Sequence, residues 1–289
     1  MGGQRHVSKV DNFSFLNTEP IIEGMEVRVA DWALILGSSS GFGEAAARAF
    51  ATAGYNIFGI HLDRKSTLPH VEEVLGQLRA TGRDVEFFNI NAAQSAKRDD
   101  VIQHIEQRLE ASGEKVRVLM HSLAFGTLKP FIGPNGKGGL NQKELEMTLD
   151  VMANSLLYWV QGLVDRGLMG EGGRVFSMTS TGDTHAWSSY GAVSAAKAAL
   201  EAHTRQLALE LATAGITVNA IRAGVTDTPA LRKIPGSEEM VVSAAQRNPH
   251  KRLTTPEDVA QALVALARPE TYWITGNVIG VDGGEEIAG

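Results

Sequence analysis

The sequence predicts an α/β fold: one doubly wound parallel sheet of Rossmann type, with about seven strands and helices on both faces. Three observations predict it. Short apolar runs alternate along the chain with longer segments of helical pattern. Most runs are apolar almost throughout, not at every second position, as suits strands buried on both faces. The first run passes through a glycine-rich turn straight into a helix, the way such sheets begin.

Residues 1–30 precede the pattern and are expected to form an extension. They hold no apolar run of the length an export signal or membrane span needs, being broken by Asp11, Glu19, Pro20, Glu23 and Glu26. The first strand is Trp32–Leu36, and an alanine-rich helix follows over 43–53. Asn56–His61 is the second strand, ahead of a helix over 68–81. The third strand, 85–90, precedes a helix over 97–112, and Val116–His121 is the fourth strand. Residues 126–139 hold five glycines and two prolines and must be a loop. A helix over 142–169, a strand at 174–178, a helix at Gly191–Leu211 and a strand at 217–221 come next. Residues 230–251 break the rhythm and read as a second loop. A helix over 256–267 and the strand Val278–Val281 close the series. Ligands of open α/β sheets bind beyond the carboxyl ends of the strands, so both loops are candidate substrate covers. No Pro/Gly linker divides 31–289, which read as a single dinucleotide-binding and catalytic domain.

Composition narrows the classes. The 289 residues and 43% apolar content suit one α/β domain with a sizeable core. The net charge is −6 and the basic residues are scattered, so neither nucleic acid nor a membrane surface is an expected partner. The absence of cysteine excludes disulfides, thiolate metal sites and a cysteine nucleophile. No metal site is expected, and a cytoplasmic location fits.

The turn after the first strand reads Gly37-Ser38-Ser39-Ser40-Gly41-Phe42-Gly43. A tight glycine turn at a helix N-terminus points backbone N–H groups and the helix dipole at a phosphate. The phosphate-gripping lysine of a nucleoside-triphosphate loop is missing. Asp63, Arg64 and Lys65 lie just past the second strand. An acid near there binds a ribose 2′-hydroxyl, whereas an arginine suits a 2′-phosphate. Asp63 sits two residues beyond the strand end, so Arg64 favours NADPH, with NADH the alternative.

Tyr190 opens a helix in which Lys197 lies seven residues on, close to two turns, so both project to one side. A nearby ammonium favours a phenolate and eases proton donation to a substrate oxygen. A lysine buried there needs a polar partner, which a cofactor ribose supplies.

With these motifs the chain resembles the short-chain dehydrogenases/reductases over about residues 31 to 285. The glycine loop matches theirs. Met178-Thr179-Ser180 resembles the end of the strand that carries their catalytic serine. Ile216-Thr217-Val218-Asn219-Ala220-Ile221 and Ala223-Gly224-Val225-Thr226-Asp227-Thr228 resemble the strand and loop that hold the nicotinamide. Val281-Asp282-Gly283-Gly284 resembles their C-terminal ending. The resemblance implies catalytic roles for Tyr190, Lys197 and Ser180. It implies cofactor contacts at Asn91, Ser122, Leu123, Ala124, Gly224, Thr226 and Thr228, besides the glycine loop, and a homotetramer packed through long helices.

The spacing of tyrosine and lysine narrows the branch. Six residues separate them, as in the enoyl-acyl-carrier-protein reductases; the larger branch has three, and Ser194 stands at that position here. His121-Ser122-Leu123-Ala124 is similar to the His-Ser motif of the same branch, with His121 read as a structural strand-end residue. Other features depart from it. Ser180 stands where enoyl reductases carry an aromatic, the glycine loop is fuller than theirs, and Met152 stands where ketone reducers keep an asparagine, with Asn154 two residues away. The first reading is therefore reduction of a trans-2-enoyl thioester on acyl-carrier protein or coenzyme A. The second is a ketoreductase acting on 3-oxoacyl thioesters or other carbonyls. The third is a dinucleotide-binding protein without catalysis.

Overall fold

The computed structural model describes residues 31–288; the expected extension at 1–30 lies outside the described residues. Seven strands form one sheet: β1 (Trp32–Leu36), β2 (Asn56–His61), β3 (Val85–Asn89), β4 (Val116–His121), β5 (Arg174–Thr179), β6 (Thr217–Ala223) and β7 (Val278–Val281). Their order is β3-β2-β1-β4-β5-β6-β7, and every pairing is parallel. The order reverses between β1 and β4, and a crevice at such a switch point is where these sheets bind ligands.

Strands β1, β2 and β5 are buried along their whole length. Alternation along β1 divides its side chains between two cores. Trp32, Leu34 and Leu36 face one layer, in which Trp32 stacks on Phe58 with ring centroids 3.8 Å apart. That layer is covered by α3 (Ser95–Glu110), α4 (Gln142–Leu149), α5 (Ser155–Asp165) and α6 (Gly191–Leu211). Ala33 and Ile35 face the other, covered by α1 (Gly41–Thr52), α2 (Leu68–Arg79) and α8 (Pro256–Leu266). Alanines 45, 46, 47 and 51 let α1 pack closely.

Two expectations need correction. The helix read as continuous over 142–169 breaks into α4 and α5 around a π-helical turn, Asp150–Asn154, and ends at Asp165. Ser155 Oγ donates to Val151 O at 2.8 Å within this turn, and hydroxyls that bond back to the preceding turn often bend helices. The segment 230–251, read as a loop, contains helix α7 (Ser237–Arg247). Only Ala244 of α7 is buried, although Met240, Val241, Ala244 and Ala245 lie at helical spacing in the sequence. Smaller differences fall at strand ends: β5 and β6 run to Thr179 and Ala223, while β3 stops at Asn89.

Candidate active site

One cavity of about 2140 Å³ opens beyond the carboxyl ends of the strands. Single small-molecule pockets usually measure ~300–1,000 Å³, so this one has room for a dinucleotide and a second molecule. It brings together the candidate residues that the sequence singled out. Gly37, Ser39, Ser40, Gly41 and Phe42 line it from the first turn, Arg64 from the end of β2, and Asn91 from the end of β3. Ser122, Leu123 and Ala124 line it past β4, Ser180 past β5, and Gly224, Thr226 and Thr228 past β6. Tyr190 and Lys197 complete the wall from α6. Gly43 is the exception and lies behind the wall. A Cβ there would meet Gly37 O at 1.9 Å, so this glycine lets α1 press onto the turn.

The first turn is built to take an anion. Gly37 has φ 91°, and a Cβ on it would meet Ser122 O at 2.4 Å, so its backbone sits against the loop after β4. Ser40, the N-cap of α1, makes no side-chain capping bond, so the first N–H groups of α1 are not met by its hydroxyl. This cradle fits a dinucleotide pyrophosphate.

Asp63 is where the structure adds most beside the first turn. Its Oδ2 lies 2.9 Å from His61 Nδ1, and its backbone N–H donates to Asn89 Oδ1 at 3.0 Å. Burial raises its carboxyl, but Ser39, Thr67 and His61 outweigh that and hold it below the ordinary value. An ionised carboxylate therefore stands beside the glycine loop, while Arg64 is exposed at the cavity lip.

At the other end, Lys197 is 6% exposed, and its Nζ donates to Met178 O at 2.5 Å. Burial draws its ammonium down to about 8, and Glu201 one turn along the helix pulls the other way. The Tyr190 phenol differs from expectation. Burial raises it above its ordinary value, and the nearby Ser180 hydroxyl only partly offsets this. The ammonium points at the end of β5, and burial is the larger influence on the phenol. Ser180 Oγ and the Tyr190 ring both border Gly182: a Cβ there would lie 3.2 Å from the first and 2.5 Å from Tyr190 Cε1. Ser180 Oγ is buried with no hydrogen-bond partner of good geometry. Ser189, just before Tyr190, has φ 62°, a strained conformation of the kind that gathers at functional sites.

His121 is fully buried behind the cavity. Ser155 Oγ spends its proton on Val151 O, so the Nε2–H of His121 must donate to Ser155, at 2.8 Å. Burial, then the charge of Lys197, draws the imidazole down to about 3. It is a neutral structural group, as its strand-end position suggested. Met147, Met152 and Val193 supply an apolar wall next to the polar groups. In the sequence Met152 stands out only for the asparagine it replaces, and Met147 and Val193 carry the signal of ordinary helix core. Among the described residues no cluster of His, Asp or Glu could hold a metal, and no helix is long and apolar enough to cross a membrane.

The sequence profile of a family described as enoyl-(acyl carrier protein) reductase matches residues 37–286. The chain belongs to that family of short-chain dehydrogenases/reductases. As a family member it is an oxidoreductase that uses a pyridine nucleotide. It is similar to an NADH-type enoyl-[acyl-carrier-protein] reductase of Nostoc, at 31% identity over 68% of this chain and 74% of that one. It is also similar to a 3-oxoacyl-[acyl-carrier-protein] reductase of Thermotoga maritima, at 26% identity over 87% and 96%. The crystal structure of an NADH-type enoyl-[acyl-carrier-protein] reductase from Aquifex aeolicus superposes with a TM-score of 0.75 at 26% identity. That match covers 90% of this chain and 97% of the other.

Proposed function

We propose that this reductase saturates the C=C bond of a trans-2-enoyl thioester. The observation that carries the reading is Tyr190 and Lys197, two turns apart on α6, facing one cavity with an apolar wall. The bound nicotinamide supplies the hydride. Tyr190 holds the thioester oxygen as it takes up negative charge, and Ser180 Oγ is a second donor beside it. Burial raises the phenol further above neutral pH, so Tyr190 donates a hydrogen bond and does not act as a base. Lys197 holds the nicotinamide ribose, and a water delivers the proton to the α-carbon. The Gly37–Gly43 turn and the N-terminus of α1 hold the pyrophosphate. Ser122, Leu123 and Ala124, and the loop at Gly224, Thr226 and Thr228, hold the nicotinamide half, while Asn91 lies at the adenine.

The adenosine end supports NADH over the NADPH that Arg64 suggested. The Asp63 carboxylate beside Ser39 accepts a hydrogen bond from a ribose 2′-hydroxyl and repels a 2′-phosphate. Residues 31–289 act as one cofactor-binding and catalytic domain. A cytoplasmic homotetramer packed through the α4–α5 and α6 helices, with acyl-carrier protein presenting the substrate, belongs to the same reading.

A ketoreductase is the second reading. The unpartnered Ser180 hydroxyl beside Tyr190 favours it, because that pair can orient a carbonyl and protonate an alkoxide. Purified enzyme is assayed with crotonyl and acetoacetyl thioesters, each with NADH and NADPH. Turnover of the crotonyl thioester, faster with NADH, is expected. Turnover of the acetoacetyl thioester alone would replace the first reading with the second.

A further inference from the structure

Helix α7 is held to the rest of the molecule mainly at its two ends. Only Ala244 of its residues is buried. Glu239, Met240, Ser243 and Arg247 line the cavity, and their spacing puts them on one face. At its start, Gly236 adopts φ 78°, and the Trp187 indole N–H donates to Pro235 O at 2.9 Å. At its end, Asn248 Nδ2 donates to Asp282 O at 2.8 Å, and Arg247 pairs with Glu285 at 3.2 Å.

Glu285 is an unusual group to find here. It is 3% exposed, close to the chain's end, and its two oxygens serve different segments. Oε1 accepts from Arg247, while Oε2 accepts from the Val225 N–H at 3.1 Å. Val225 belongs to the loop after β6 that lines the cavity. Gly224 packs so tightly beneath this carboxylate that a Cβ would stand 2.9 Å from Oε2. A carboxylate taken this far from water needs its hydrogen-bond donors, so losing either one is felt at the other.

We infer that Glu285 is a positioning residue, a latch that couples the seating of α7 over the cavity to the backbone at Val225, with Arg247 as its partner. Whatever orders Val225 also orders the carboxylate that pins α7. A ligand lying on residues 224–228 therefore tightens the helix, and a seated helix tightens that ligand in return, because coupling is reciprocal. The consequence for the cofactor rests on the proposed dinucleotide reading; the latch itself does not.

Hydrogen exchange of the full chain tests both parts. Without ligand, E285Q and R247Q should each speed exchange across 237–247 about tenfold, the size of one charge-assisted hydrogen bond. The β-sheet amides should be unmoved, and the double variant should be no faster than either single one. Unchanged α7 exchange, or faster exchange spread evenly over the sheet, would overturn the latch. R247Q changes a half-exposed side chain, so the test stands even if E285Q fails to fold. Adding NADH should slow α7 exchange in the wild type and not in E285Q. Equal protection in both would overturn the coupling. If NADH binds neither protein, the dinucleotide reading fails, and the ligand-free comparison alone decides the latch.

Discussion

Lys197 shows at the scale of one residue what this site costs. Drawing its ammonium from 10.5 to about 8 amounts to about 3 kcal/mol. The folded value lies below the unfolded one, so between about pH 8 and 10.5 the unfolded chain binds more protons. This contribution therefore improves as pH climbs through that window, and its full penalty stands at neutral pH. Lys197→Met should raise stability at pH 7 by about 1–3 kcal/mol in urea unfolding, less whatever the lost bond to Met178 O contributes, while abolishing turnover. Tyr190→Phe removes the hydroxyl and nothing else, so kcat should fall by two or more orders of magnitude while a fluorescence titration still shows cofactor binding. Undiminished turnover would remove Tyr190 from the chemistry. Both residues were legible in the sequence because their spacing along one helix carries the message. Asp63 was noted there too, but Arg64 was weighed above it, and Glu285 was not singled out. Asp63 draws its meaning from Ser39 and Glu285 from Val225 and Arg247, all distant in the chain.

Between strand and helix, the junction of β4 with the π turn ahead of α5 contributes to the acid behaviour. His121 at the end of β4 donates to Ser155, the first residue of α5, and is held neutral down to about pH 3. Its unfolded value is 6.5, so below that pH the unfolded chain takes up a proton that the folded one refuses. The contribution of His121 should then fall as pH drops from 6.5 toward 3, by as much as about 5 kcal/mol, and level off below. Urea unfolding across that range should show the fall, and His121→Gln should flatten it. The elements themselves were mostly legible, because apolar runs mark strands buried on both faces. The π turn was not, since one serine hydroxyl and a histidine from another strand make it. Helix α7 was not either: its apolar residues lie at helical spacing, but the segment reads as a break in the rhythm.

At the scale of the whole molecule, the parallel sheet reverses between β1 and β4 and sets the first glycine turn against the loop after β4. The ends of β2, β5 and β6 and the start of α6 then converge on one cavity. Alternation of strand and helix was enough to read a doubly wound parallel sheet from the sequence, though not the order of its strands. What it left open is which bond is reduced, because Ser180 and the spacing of Tyr190 and Lys197 point to different carbons. The position of the transferred hydride decides it. The enzyme is given crotonyl thioester and NADH carrying deuterium at the reactive carbon of the nicotinamide, and the product is read by mass spectrometry and NMR. Butyryl thioester with deuterium at C3 is the expected result. A product that keeps its double bond and carries no deuterium, together with 3-hydroxybutyryl thioester deuterated at its carbinol carbon when acetoacetyl thioester is supplied instead, would contradict it.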